Sequence, residues 1–257
     1  PLPSFLRSAI EFEDVKGNFK KGVNEAEAIR IVEILRNIWS SPENARPSVG
    51  VIVANVRQRD RVMDLLQEAS ESNAKFGQDL EQESERKRDG EDASFFVRSV
   101  EHVQGDERDV VIFALTYSGS SRSFGPLNTK NDGRKRLNVA ITRAKNGMIV
   151  LNSLNVGHIS NLSETGERYY VWQYLRYARA VALNDFDTQN TILSQLNSAR
   201  ISRKPGMDQT DSPFEADVKE YIESLGFVVD CQVGESGFRI DLGVRCSEGS
   251  GVFFVRS

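Results

Sequence analysis

Ser48–Ala54 and Asp109–Thr116 are apolar at nearly every position, and Met148–Asn152 repeats the pattern on a shorter scale. A strand that is apolar on both faces needs cover on both faces, which a sheet with one side in water cannot provide. Amphipathic segments lie between these runs. From Asn24 to Trp39, the residues Ala28, Ile31, Val32, Leu35, Ile38 and Trp39 fall on one helical face, with Asn24 placed to cap the helix. A second helix is expected from Gln58 to Ala69, through Val62, Leu65 and Leu66, and a third over Arg134–Lys145. Buried strands alternating with helices predict an α/β fold built on a parallel sheet flanked by helices.

This pattern extends over residues 1–160. The polar segment 70–93 reads as a loop with some helix, Ser94–Arg98 as a short strand, and Ser118–Gly133 as a Gly/Ser/Asn-rich loop. Residues 161–204 form a helical extension and linker, and the aromatic stretch Tyr169–Tyr177 is expected to pack against the preceding domain. A breaker-rich segment ends at Pro213. Residues 205–257 then start a separate unit, a helix followed by strands near 227–233, 238–245 and 251–256. The pentapeptide Phe-Phe-Val-Arg-Ser occurs at 95–99 and again at 253–257 without a physical reason in the pattern.

A net charge of −4 over 257 residues argues against a protein that is basic throughout. The charge is unevenly distributed. Between Asp64 and Asp92, ten acidic residues face four basic ones, which reads as a solvated face. Between Ser121 and Lys145, seven basic residues stand against Asp132 alone. Two cysteines, Cys231 and Cys246, do not make a disulfide scaffold, so a reducing, cytoplasmic setting is expected. With two histidines, no zinc-ligand spacing occurs. The apolar runs are far shorter than the roughly 20 residues needed to span a bilayer, so no membrane partner is expected. The start shows no basic leader and no initiator Met, as expected of a piece of a longer protein.

The most specific stretch is Ser99-Val-Glu-His-Val-Gln-Gly-Asp-Glu-Arg-Asp-Val-Val-Ile-Phe, followed by Arg136-Leu-Asn-Val-Ala-Ile-Thr-Arg-Ala-Lys. A strand ending in Gln104-Gly105 brings backbone close to a ligand, and Glu107 and Arg108 follow the turn within reach of a cleft. Arg143 is a fixed cation whose fork of donors suits the oxygens of a transferring phosphoryl group. These stretches resemble motifs V and VI of superfamily 1 helicases, in the group that includes the nonsense-mediated-decay helicase. Val53-Ala-Asn-Val-Arg-Gln-Arg-Asp is similar to motif IV of that family. The resemblance covers about residues 1–180 and implies a RecA-like sheet.

What the resemblance implies is residue-specific. Arg143 matches the arginine finger that crosses to the γ-phosphate, joined by Arg59, with Glu107 in the catalytic set. Gln58, Gln104, Gly105 and Arg136 match nucleotide-side positions, and Ser99 and Thr142 match nucleic-acid contacts. No Gly-x-x-x-x-Gly-Lys-Ser/Thr and no Asp-Glu pair ending an apolar strand is present. The chain therefore resembles the second RecA-like domain, with ATP and Mg held mainly by a first domain upstream. The implied partners are that domain and single-stranded nucleic acid, DNA ahead of RNA. A non-catalytic nucleic-acid-binding platform is the alternative from another class.

The end of the chain carries a second resemblance. Ser212-Pro-Phe-Glu-Ala-Asp-Val-Lys-Glu-Tyr-Ile-Glu and Gln232-Val-Gly-Glu-Ser-Gly-Phe-Arg-Ile-Asp look like the start of a restriction-endonuclease-like domain of the very-short-patch-repair type. There, Glu215 and Asp241 match positions that share a divalent cation, which activates water for phosphodiester cleavage. The following strand, Gly251–Ser257, lacks the family's further carboxylate. A nuclease carrying a helicase remnant is thus a third reading.

Overall fold

A computed structural model describes residues 6–103, 105–119, 121, 123–156, 166–201, 213–224, 226–233, 240–245 and 252–254. It divides into two units, Pro1–Gln189 and Asn190–Ser257. The first opens with β1 (Ile10–Asp14), a hairpin of β2 (Phe19–Lys20) and β3 (Val23–Asn24), and α1 (Glu25–Trp39). Then come β4 (Val49–Val53), α2 (Val56–Ser72), α3 (Ala74–Ser84) and a second hairpin, β5 (Lys87–Arg88) with β6 (Glu91–Asp92). β7 (Phe96–Ser99), β8 (Arg108–Gly119), α4 (Gly133–Ile141), β9 (Ala144–Leu154) and α5 (Glu167–Ala182) complete it. The division between the units falls within α6 (Phe186–Ile201).

The sheet runs β1-β9-β8-β4-β7, and every pair in it is parallel. Its two faces bury separate cores. One holds Val49, Val51 and Val53 with Val110, Ile112 and Ala114, covered by α1, α2 and α3 through Ile31, Leu35, Val62, Leu66 and Phe76. The other holds Ile52, Val111, Phe113 and Val150, covered by α4 and α5 through Leu137, Ala140, Val171 and Leu175. Alternation along a strand sends consecutive side chains to opposite faces, so runs apolar at every position are what this double cover requires.

The expected helix face on α1 is buried residue for residue, and Asn24 caps the helix by accepting from the Glu27 backbone N–H. The aromatic segment packs as expected, with Tyr170, Trp172 and Tyr174 against the α4–α5 core. Its helical stretch is broken at Asn184, whose φ of 56° ends α5 before α6 begins. Segment 70–93 is more ordered than its composition suggests, carrying the end of α2, then α3 and the β5–β6 hairpin. Its acidic run is not a solvated face throughout. Asp79 and Glu83 are buried against Arg46, at 3.1 and 3.4 Å, and Arg86 pairs with Glu83 at 2.9 Å. Strand β1 was not evident in the sequence; it pairs with β9 over five residues.

The second unit contains α7 (Pro213–Ser224), β10 (Val228–Val233), β11 (Ile240–Arg245) and β12 (Val252–Phe254). The three strands form an antiparallel meander, and α7 packs on β10 and β11. Among the described residues, no helix is long and apolar enough to cross a membrane.

Candidate nucleotide site and nucleic-acid edge

Because all five strands run the same way, the sheet has an amino end and a carboxyl end with different chemistry. The segment joining β7 to β8 starts at the carboxyl end, where the Val100 N–H donates to the Val53 carbonyl. It crosses the face that α4 covers, burying Val100 and Val103, and arrives at the amino end. Helix α4 makes the same traverse in the same direction. Two ion pairs clasp segment and helix: Arg136 to Glu101 at 3.5 Å and Arg143 to Glu107 at 3.8 Å. The two sequence motifs that stand 36 residues apart at Glu107 and Arg143 therefore meet at the amino end of β8 and β9.

Arg143 does not lie within the helix, as the sequence pattern suggested. Helix α4 ends at Ile141, and Arg143 precedes β9, its carbonyl accepting from the Arg108 N–H. Its side chain folds back on the helix end, where Nε donates to the Val139 carbonyl and Nη2 to Thr142 Oγ1, each at 3.0 Å. Glu107 is exposed beside it. Gly105 has a φ of +85° with open space around its Cβ position, so backbone conformation rather than crowding requires glycine there. The partly covered Arg143 guanidinium and the exposed Glu107 carboxylate thus stand close together in space, with the open backbone at Gly105 close to Glu107 along the chain.

Other expected residues lie elsewhere. Arg59 follows β4 in the first turn of α2, so it sits at the carboxyl end and on the face opposite α4. The span of β4 alone is about 13 Å, and Arg59 pairs with its neighbour Asp60. Gln58 is fully buried, its amide bonded to both backbone groups of Asn24 at 2.7 and 2.9 Å. Its side chain is thus engaged inside the domain and not on the exposed surface. Arg136 is held by the Pro126 carbonyl, Thr129 Oγ1 and Glu101, tying the turn at 125–129 to the β7–β8 segment. Arg108 is buried, donating to the Ser94 carbonyl and pairing with Asp92, so it does not reach a cleft.

Ser99 is also buried, and its hydroxyl lies 2.8 Å from His102 Nδ1, which leaves the exposed His102 as the group facing solvent there. At the end of β7 it is therefore the serine, not the histidine, that is packed away from solvent. Thr142 lies beside Arg143, at the opposite end of the sheet from Ser99. Gln104 is outside the described residues. Glu215 sits on α7 and Asp241 on β11. Among the described residues, no group of three or more His, Cys, Asp or Glu is placed to hold a metal.

Glu27 was missed in the sequence. It is fully buried at the carboxyl end, where one oxygen accepts from the Thr116 N–H at 2.7 Å and the other from the Ser153 hydroxyl at 2.6 Å. Burial pushes its carboxyl up to about 7, against the lowering effect of these hydrogen bonds. Thr116 has a φ of 69°, rare for a β-branched residue, where the β8–β9 register breaks between Ala114 and Ser118.

Residues 5–155 match the AAA domain family, more than half of the chain. The "Uncharacterized ATP-dependent helicase MG140" of Mycoplasma genitalium is 37% identical over 182 residues, 69% of this chain and 16% of that protein. Its homolog in Mycoplasma pneumoniae is 33% identical over 66% of this chain and 15% of the relative. The "Regulator of nonsense transcripts 1 homolog" of Drosophila melanogaster is 26% identical over 60% of this chain and 11% of its own length. The chain thus spans about a sixth or less of the length of these relatives. Family match, relatives and five-stranded parallel sheet agree: the chain belongs to the AAA domain family and carries a second RecA-like domain of the superfamily 1 helicase type.

Proposed function

We propose that this chain is part of an ATP-dependent helicase and supplies one wall of its ATP cleft and part of its single-strand track. A first RecA-like domain of the same protein forms the other wall and holds ATP with Mg. The observation that carries this reading is the meeting of Arg143 and Glu107 at the amino end of β8 and β9. Arg143 is held there by two hydrogen bonds at a helix end and by the Glu107 pair, contacts it would exchange for the oxygens of a γ-phosphate on turning outward. ATP brings the phosphoanhydride whose cleavage drives strand movement. Arg143 offers charge and a planar fork of donors to the oxygens that become more negative in the transition state. Glu107 and the open backbone at Gly105 line the same surface.

The β7–β8 segment links this end to the carboxyl end, where the strand would bind, DNA ahead of RNA, in a cytoplasmic protein. The second unit, with Glu215 on α7 and Asp241 on β11, has the helix-then-meander order of a restriction-endonuclease-like start, which supports an attached nuclease-like module. The test is DNA-stimulated phosphate release by the full-length parent protein. Arg143→Ala should cut saturating turnover by about 10³–10⁵ with little change in ATP affinity, and Arg143→Lys should rescue poorly. Near-normal turnover in a folded Arg143→Ala protein would favour the non-catalytic platform.

A further inference from the structure

Many arginines of the described structure are neutralised, among them Arg30, Arg46, Arg61, Arg86, Arg88, Arg98 and Arg108, each with a carboxylate partner. The β2–β3 hairpin breaks this habit. Residues 15–24 contain three lysines and no acid. Lys20 and Lys21 are exposed at the hairpin tip, and Arg57, exposed at the start of α2, donates from Nη1 to the Lys21 carbonyl at 3.2 Å. None of the three has a carboxylate partner among the described residues. Gly22 lies against the aliphatic part of Arg57, so the hairpin tip and α2 present their cations side by side.

The tip is built for a fixed shape. Lys21 has φ 53° and Gly22 φ 92°, a turn with two left-handed residues that ordinarily takes Asn, Asp or Gly first. A lysine held there points to a use beyond the turn itself. Both arms of the hairpin are anchored. The Phe19 N–H donates to Ser118 Oγ at 2.7 Å and its ring packs on Tyr117, while Asn24 is gripped by Gln58 through two hydrogen bonds. Gln58 therefore has a positioning role: it fixes the base of the hairpin to the start of the helix that carries Arg57.

Resting on the helicase reading above, we infer that Lys20, Lys21 and Arg57 form a phosphate-binding ridge for the backbone of a single nucleic-acid strand. It stands at the carboxyl end of a parallel sheet, where ligands of open α/β folds lie. A row of exposed cations suits a repeating phosphate backbone, which offers one negative charge per nucleotide. Contacts of this kind position a strand without reading its bases.

The test is fluorescence anisotropy of a labelled oligo-dT with the 257-residue chain across a salt series. Each lost phosphate contact should flatten the log–log salt slope by about 0.7, so the triple variant Lys20→Gln/Lys21→Gln/Arg57→Gln should lose about 2 in slope and at least tenfold in affinity near 0.1 M salt. Lys87→Gln, at an exposed cation elsewhere, should bind as wild type. Gly22→Ala retains all charges but forces the tip off Arg57, so its affinity should also fall. Wild-type affinity in the triple variant, or no binding by the wild-type chain at low salt, overturns the ridge. Equal affinity of the wild-type chain for a poly-Glu peptide overturns its assignment to nucleic acid. Neither result alters the Arg143 turnover test, which separately decides the helicase reading.

Discussion

Glu27→Gln should change how the stability of the first unit responds to pH. The wild-type carboxyl titrates near 7 in the folded chain, against 4.5 without burial. Between those values the folded chain keeps a proton that the unfolded chain has released. Stability therefore falls as pH rises through that window and levels off above it. At 1.36 kcal/mol per unit of pKa, the drop is about 3 kcal/mol. Glutamine resembles the protonated acid: its oxygen still accepts from the Thr116 N–H, and its amide faces the Ser153 hydroxyl. The variant should be close to wild type at pH 5 and more stable at pH 8, less about 1 kcal/mol for an imperfect bond to Ser153.

Urea unfolding at half-unit pH steps, followed by tryptophan fluorescence, reads this effect, since Trp39 and Trp172 lie in α1 and α5 of the same unit. Carboxyls held low by hydrogen bonds, such as Asp92, release stability at more acid pH with the opposite sign, so they leave the window clear. Glu27→Ala separates charge from packing. It leaves the Thr116 N–H without its acceptor at every pH and should be destabilised by about 1–3 kcal/mol throughout. A Glu27→Gln protein whose slope between pH 5 and 7 matches wild type would refute the assignment of the buried proton to Glu27.

Three further outcomes follow from the same geometry. Glu107→Gln should leave thermal stability within about 2 °C, because its 3.8 Å pair with Arg143 is half exposed, yet it should raise KM for ATP in the parent protein more than it lowers kcat; an unchanged KM would remove Glu107 from the nucleotide surface. Gly105→Ala should cost about 1 kcal/mol in urea unfolding through its φ of +85° alone, since nothing lies near the added methyl; a cost several times larger would mean that crowding, not backbone conformation, requires glycine. Arg46→Ala should cost about 3 kcal/mol or more by leaving Asp79 and Glu83 buried with fewer partners; a loss under about 1 kcal/mol would show that Arg86 and Lys75 suffice.

The sheet and its main helices were legible because burial on two faces writes itself into consecutive residues. Val49–Val53 and Val110–Leu115 have no polar position to spare, and the α1 stripe repeats with helical period. Strand β1 was not legible for the converse reason. Ile10–Asp14 alternates acids with apolar residues at the sheet edge, and its partner β9 lies more than 130 residues away. The ordered hairpin at Lys87–Asp92 is likewise fixed by distant groups, Arg86 and Arg88 reaching the Arg46 carbonyl and Asp109.

The site divides along the same line. The resemblance to motifs V and VI singled out Arg143, Glu107 and Gly105 as candidates, and the β7–β8 segment and α4 bring Glu107 and Arg143 together because both run from the carboxyl to the amino end. Motif membership carries no information about which end or face of the sheet a residue reaches. Arg59 and Gln58 illustrate this. They are adjacent on α2, yet one is partly exposed beside Asp60 and the other is sealed against Asn24. Glu27 shows the reverse error. In the first turn of α1 it reads as an ordinary acidic residue complementing the helix dipole, and Glu25, two residues earlier, is indeed exposed and paired with Arg61. A rotation of 200° around the helix turns Glu27 inward, onto Thr116, whose backbone in β8 is left-handed. Its burial is decided by Thr116 and Ser153, about 90 and 126 residues further along the chain, and no local pattern in α1 contains them.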